Sequence, residues 1–265
     1  MDWTGKICII TGASSGFGYE TAKLFASLGA TVGVAARREG RLKEVVEELG
    51  PGDHFYATCD VSDLDSVRSL VSSVRERTDH VDVLVNNAGV SSAGTITEAT
   101  SEEMERVIKV NLLGSIWSCK EFLPLVDAAP RHSKTPIIVN VASMAGRMAV
   151  PGSADYVASK FGLVGFTESM WSVLDSKGIR SMMVNPGAAD TEGFPMDQVK
   201  ANPLTAWTVM GADRVAKALV RGIEQGSFEV RVQWWLYPVY YTYFAAGPLR
   251  RRLASLVRGQ YEGDF

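Results

Sequence analysis

Lys6-Ile7-Cys8-Ile9-Ile10-Thr11-Gly12-Ala13-Ser14-Ser15-Gly16-Phe17-Gly18 carries an apolar run straight into a glycine-rich turn. The run is rich in β-branched residues and reads as a first strand, Lys6–Thr11. A helix follows through about Leu28. Working outward, the same alternation of short strand and longer helix repeats along the chain. Thr31–Ala36 precedes a charged helix, Glu39–Leu49, and Phe55–Cys59 precedes a helix near Asp63–Arg77. Val81–Val85 leads through a loop to a long helix around Glu103–Leu125. Pro136–Ala142 precedes a helix from about Asp155 to Ser176. Ile179–Asn185, a loop, a helix near Ala212–Gln225 and Phe228–Gln233 complete seven candidate strands. Val83–Val85 and, but for Asn140, Ile137–Val141 are apolar runs rather than alternating ones, the mark of strands buried on both faces. Right-handed crossovers then give an α/β chain with one doubly wound, seven-stranded parallel sheet flanked by helices.

Composition narrows the classes. A chain of 265 residues fits one open α/β domain and is short for two. Residues 1–233 are expected to form the core domain, with 234–265 as a helical extension. Hydrophobic residues at 46% and charged residues at 22% exclude disorder as a description of the whole chain. A net charge of −3 gives no general reason to expect nucleic acid as a partner. Cys8, Cys59 and Cys119 lie among apolar residues without ligand spacing, so they read as buried hydrophobes, with no disulfide or metal site. His54, His80 and His132 lie near loops and read as surface residues. The N-terminus has no basic-then-apolar leader, and no run of about 18 apolar residues occurs. The expected compartment is cytoplasmic.

Three features carry chemistry. Glycines in the first βα turn let the backbone approach a phosphate, and the next helix N-terminus offers N–H groups and a positive dipole end. Gly12, Ser14, Ser15, Gly16, Phe17 and Gly18 are therefore candidate dinucleotide-binding residues. The end of strand two reads Ala36-Arg37-Arg38, with no acid between Thr31 and Arg38 to accept ribose hydroxyls. Two guanidiniums suit a 2′-phosphate, so NADP(H) is preferred, with NAD(H) left open. Tyr156 and Lys160 are spaced i, i+4 on one helix face. An ammonium one turn away favours the phenolate and equips Tyr156 to exchange a proton with a substrate oxygen.

Around that pair stand Asn86-Asn87-Ala88-Gly89, Asn111, Asn140-Val141-Ala142-Ser143 and Pro186-Gly187-x-x-x-Thr191. With these in order, residues 5–233 resemble the short-chain dehydrogenase/reductase family, which has a Rossmann fold. The resemblance implies a carbonyl–alcohol oxidoreductase with Asn111, Ser143, Tyr156 and Lys160 as catalytic tetrad. Tyr156 would be the acid or base, and Ser143 would orient the reacting oxygen. Lys160 would lower the tyrosine pKa and hold the nicotinamide ribose. Asn111, at a local helix irregularity, would extend a proton relay to solvent. Asp60 and Val61 would bracket the adenine, Asn87, Ala88 and Gly89 would line the adenosine side, and Pro186, Gly187 and Thr191 would meet the nicotinamide end. Three positions depart from the common pattern. Phe17 replaces an isoleucine, Ala142 replaces a second serine, and Ser15 stands where many NADP-preferring relatives have a basic residue. A catalytically idle cofactor-binding regulator on the same fold is the alternative. The intact Ser143–Tyr156–Lys160 set speaks against it.

The substrate side begins after Ser143, with Arg147, Met148, Ala149 and Val150. It continues in Ala188–Asn202, with Phe194, Pro195 and Met196. Mostly apolar, these suggest a hydrophobic or bulky carbonyl compound. Beyond them the aromatics concentrate: Phe228, Trp234, Trp235, Tyr237, Tyr240, Tyr241, Tyr243 and Phe244 fall in 17 residues, against 9% aromatics overall. Arg250, Arg251, Arg252 and Arg258 follow. This segment could cover the substrate pocket, pack against another subunit in a homo-dimer or homo-tetramer, or lie on a membrane interface.

Overall fold

A computed structural model describes the chain except residues 93, 132–133, 150–152, 193–199, 202–205, 239–240 and 243–265. Seven strands form one parallel sheet: β1 (Ile7–Thr11), β2 (Thr31–Ala36), β3 (Phe55–Thr58), β4 (Val83–Asn86), β5 (Ile137–Val141), β6 (Arg180–Asn185) and β7 (Glu229–Arg231). Their spatial order is β3-β2-β1-β4-β5-β6-β7. The chain therefore reverses its winding between β1 and β4, and a crevice opens there beyond the strand C-termini.

The double burial read from the apolar runs is realised residue by residue. Ile10, Val85 and Val139 face one core, closed by α1 (Gly16–Ser27), α2 (Glu39–Glu48) and α7 (Ala212–Gln225) through Phe25, Leu42 and Ile223. Their neighbours Ile9, Leu84 and Ile138 face the opposite core. There α3 (Leu64–Arg75), α5 (Gly114–Ala128) and α6 (Ala154–Asp175) supply Leu70, Phe122 and Leu174. Successive side chains on a strand point to opposite faces, so an unbroken apolar run fills both cores at once.

The long helix predicted near Glu103–Leu125 is longer and not uniform. It begins as α4 (Ser101–Ile108), where Thr100 and Glu103 form a reciprocal capping box. It then passes through a π turn at Lys109–Leu113 before continuing as α5. β7 is shorter than the predicted Phe228–Gln233, because the chain turns at Val232 and Gln233. A single 3₁₀ turn, Trp234–Leu236, opens the C-terminal extension, and its predicted continuation beyond Thr242 lies outside the described residues.

All three cysteines are buried free thiols, and burial pushes Cys59 to about 11 and Cys119 to about 12. The histidine expectation needs correcting. His54 is partly buried, and its Nδ1 accepts the Val32 N–H at 3.2 Å. His80 is also partly buried, between Asp79 (2.7 Å) and Asp82 (3.4 Å). A loop position in sequence does not reveal which way a ring turns, and both rings turn inward to satisfy polar groups. His132 lies outside the described residues.

Candidate functional site

The crevice between β1 and β4 holds a groove of about 400 Å³. Every predicted site residue lines it except Gly18 and Asn111. At one end lies the glycine-rich turn. Gly12 adopts φ +67°, and a Cβ there would stand 2.7 Å from the Ala88 Cα. A Cβ on Gly18 would stand 2.5 Å from both the Gly12 carbonyl and Asn87 Nδ2. The Asn87 amide donates to the carbonyls of Thr11 (3.0 Å) and Gly12 (3.1 Å). Thr11 Oγ1 accepts the N–H groups of Asn87 and Ala88 (3.1 and 3.3 Å). The Asn-Asn-Ala-Gly block thus acts first as a brace that fixes the turn. The first turn of α1 carries no acidic side chain, so its N–H groups and dipole face the groove unopposed. These features fit a dinucleotide: the backbone cradle would be filled by any side chain, and the donors suit a pyrophosphate.

At the end expected to take the adenosine, Arg37 and Arg38 line the groove past β2, and Asp60 lines it past β3. Partial burial would raise the Asp60 carboxyl. The Ser62 hydroxyl (2.6 Å) and N–H (3.0 Å) hold it below its ordinary value instead, so it stays an acceptor.

Ser143, Tyr156 and Lys160 meet at the other end. Ser143 caps a 3₁₀ turn, Met144–Gly146; its Oγ accepts the Ala145 N–H at 3.0 Å and donates to the Pro186 carbonyl at 3.5 Å. The Tyr156 phenol is hydrogen-bonded to Ser143, which favours the phenolate, but burial outweighs that and raises its pKa. Lys160 lies one turn along α6, 5.7 Å from the centre of the Tyr156 ring. Its Nζ donates to the Val141 carbonyl at 2.9 Å, and burial lowers its pKa to about 8. Asn111 is fully buried in the π turn. Its carboxamide exchanges two 2.8 Å bonds with the Val90 main chain and donates to Ser159 Oγ at 3.0 Å. Ser159 in turn donates to the Tyr156 carbonyl at 2.7 Å. Asn111 therefore fixes the loop after β4 against α6 behind the groove.

The family model for "short chain dehydrogenase" matches residues 6–200. The chain belongs to the short-chain dehydrogenase/reductase family. It is 35% identical to the 3-oxoacyl-[acyl-carrier-protein] reductase of Thermotoga maritima over 193 residues, 72% of this chain and 77% of that protein. It is 37% identical to a 3beta-hydroxysteroid dehydrogenase of Mediterraneibacter gnavus over 190 residues, 70% and 67% of the two chains. A short-chain dehydrogenase/reductase from Burkholderia phymatum, solved in complex with NAD, superposes with a TM-score of 0.82 at 26% identity, covering 94% and 96%. A metagenomic short-chain oxidoreductase solved with NADP superposes at 0.73 and 29%, covering 87% and 98%. The protein is accordingly a nucleotide-binding oxidoreductase acting on CH–OH groups.

Within that family frame the substrate side departs from expectation. Arg147 does not line the groove. Its guanidinium turns away, pairing with Glu168 of α6 (2.7 Å) and Glu229 of β7 (3.2 Å). Glu229 also accepts from Asn185 at 2.7 Å, so the arginine completes a part-buried network at the β6–β7 edge. Met148 and Ala149 do not line the groove either, while Val150, Phe194, Pro195, Met196 and Asn202 lie outside the described residues.

Two residues that sequence reading passed over act on the site. Gln233 is wholly buried. It accepts the Gly187 N–H at 2.5 Å and donates to the carbonyls of Ala188 (2.8 Å) and Thr208 (3.3 Å). The predicted nicotinamide turn is thus tied to the start of the C-terminal extension. Glu192 lines the groove one residue beyond Thr191 and reaches across to Arg38. The signal for Gln233 was a lone amide ending a strand of alternating apolar and charged residues. Glu192 gave none.

Proposed function

We propose that the protein is an NADP(H)-preferring reductase/dehydrogenase that interconverts a carbonyl and a secondary alcohol, with Tyr156 as proton donor and acceptor. The observation that carries this reading is the meeting of Ser143, Tyr156 and Lys160 at the groove end opposite the arginines. When bound, a nicotinamide cofactor supplies or accepts the hydride. Tyr156 gives its proton to the carbonyl oxygen in reduction and recovers it in oxidation. The Ser143 oxygen is held by the Ala145 N–H, and its hydroxyl lies within hydrogen-bond reach of the Tyr156 phenol, so it stands where it can orient the oxygen that Tyr156 protonates. Lys160 commits one donor to Val141 and keeps two for a ribose and the tyrosine. The Asn111 carboxamide is committed to Val90 and Ser159, so a proton relay to solvent would use its main-chain carbonyl.

Arg37 and Arg38 support the 2′-phosphate and hence NADP(H). Val90, Val110, Val141 and Ala142 in the groove wall support a hydrophobic or bulky substrate. Exposed apolar side chains on α6, among them Phe161, Trp171 and Val173, support a homo-dimer or homo-tetramer. The deciding experiment is Tyr156→Phe. Turnover should fall at least ~10²-fold while NADPH still quenches protein fluorescence with unchanged affinity; retained turnover would refute the assigned proton donor.

A second reading concerns residues 234–265 as a distinct interface element. Trp234 and Tyr241 are 69% and 53% exposed, and Arg250, Arg251 and Arg252 follow in sequence. Aromatic and basic residues together suit an anionic membrane surface. Among the described residues no helix is long and apolar enough to cross a membrane, so such contact would be peripheral. Co-sedimentation with phosphatidylserine vesicles, lost on truncation after Gln233, is the expected result. Equal behaviour of the two proteins would sink the reading.

A further inference from the structure

One side-chain pair joins the two lips of the groove. Glu192, in the loop after β6, meets Arg38, just past β2, through two bonds: Nη1–Oε1 at 2.5 Å and Nη2–Oε2 at 3.1 Å. The same guanidinium also donates through Nη2 to Ser14 Oγ (3.0 Å) and Ser15 Oγ (3.1 Å) in the glycine-rich turn. The Thr191 side chain packs close over the glycine-rich turn, since a Cβ on Gly16 would lie 3.2 Å from the Thr191 Cβ. The Arg38 hydrogen bond holds the Glu192 carboxyl below its ordinary pKa, so the group facing Arg38 is an anion at neutral pH. A guanidinium has five donors in one plane. Here the Nε–Nη2 edge is turned to Ser14, and the Nη1–Nη2 edge, which could grip an anion with two bonds, is taken by a carboxylate.

We propose that Glu192 is a cofactor-selectivity residue, its carboxylate competing with the 2′-phosphate for Arg38. The inference rests on the reading of Arg38 as a 2′-phosphate ligand. Both partners are about half exposed, at 49% and 60%, and an ion pair so exposed is weak. A phosphate carrying more charge and three oxygens displaces it. A cofactor with a 2′-hydroxyl has no anion to do so and leaves the bridge closed. Glu192 therefore lowers the discrimination in favour of NADP(H) that the two arginines would otherwise give.

The test is a double-mutant cycle on the intact chain. Dissociation constants for NADPH and NADH are measured by fluorescence titration for wild type, Glu192→Gln, Arg38→Gln and the double variant. Glu192→Gln should tighten NADPH relative to NADH by about two- to fivefold. In the Arg38→Gln background the same change should move both cofactors alike. An equal effect on both cofactors in Glu192→Gln alone would overturn the proposal. So would a selective NADPH gain that persists without Arg38, since it would mean general charge repulsion. A wild type that binds NADH more tightly than NADPH would defeat the NADP(H) reading by itself, while the shift in the ratio would still report on Glu192.

Discussion

Lys160 shows how the site sets chemistry against stability at single residues. The chain's own groups move the tyrosine–lysine pair in the less useful direction: burial raises Tyr156 and lowers Lys160 to about 8. The expected help of Lys160 to the phenolate must therefore work against the desolvation of both groups. Burial also has a consequence for folding. An unfolded lysine keeps its proton to about 10.5, while the folded one releases it near 8. Between those values the unfolded state binds more protons, so stability rises with pH. Below pH 8 both states are protonated and the full cost of burying the ammonium is present. Lys160→Met should thus lose most turnover yet be the more stable protein at pH 7, by up to about 3 kcal/mol, an advantage that shrinks by pH 10. Urea unfolding of both proteins at the two pH values checks this, and a pH-independent difference would contradict it. Sequence reading joined Tyr156 and Lys160 by their i, i+4 spacing and added Ser143 through the resemblance, and the three lie together along the groove. It misplaced Arg147 and overlooked Glu192 and Gln233, whose partners lie 21 to 154 residues away. Nothing in a local pattern says which way a long side chain turns.

Elements were legible where burial dictates composition. The runs that became β1, β2 and β5 fill two cores at once, so they are apolar almost throughout, and the buried Asn140 in β5 is satisfied by Asn86 and Thr167. Boundaries were less clear. The long helix was read as starting near Glu103, although Thr100-x-x-Glu103 is itself a capping signal that sets its start at Ser101. The π turn at Lys109–Leu113 has no composition of its own and was anticipated only from the resemblance. It matters because it brings Asn111 to Val90 and Ser159. Under the proposed cofactor-binding role, the glycine-rich turn is the element with least room for change. A methyl on Gly18 would need room 2.5 Å from the Gly12 carbonyl, and backbone cannot yield as a side-chain tip can. Gly18→Ala should weaken NADPH binding by about tenfold or more, because the turn is pushed off the geometry that Asn87 braces. Isothermal titration tests this beside a thermal melt. A variant with normal affinity would show that the turn adapts and that its glycines reflect only local packing.

For the molecule as a whole, the parallel sheet and its switch point follow from the order of elements, and they place the groove. The C-terminal segment does not follow from that logic. Its aromatic density is plain in sequence, but density alone cannot separate side chains that pack from those that face outward. The structure divides them: Tyr237 is 4% exposed, whereas Trp234, three residues earlier, is 69% exposed. Tyr237 lies under the Arg231 guanidinium, 4.7 Å from its ring centre, and burial raises its phenol to about 12. It sits four residues beyond Gln233, whose amide holds the turn at Gly187 and Ala188. Anchoring the extension through Tyr237 should therefore serve both the fold and the turn at Gly187, the end of the groove proposed for the nicotinamide. Burial of such a ring contributes roughly 2–3 kcal/mol. Tyr237→Ala is expected to lower the melting temperature by about 4–12 °C at this chain length. If the anchor also positions Gln233, the variant's KM for the cofactor should rise at temperatures where it is fully folded, with a smaller change in kcat. Trp234→Ala, removing an exposed ring next to Gln233, should leave the melting temperature within about 1 °C, because surface substitutions cost little. If the two substitutions had equal effects, the extension would be a loosely attached tail, and the buried tyrosine would not be what joins it to the site.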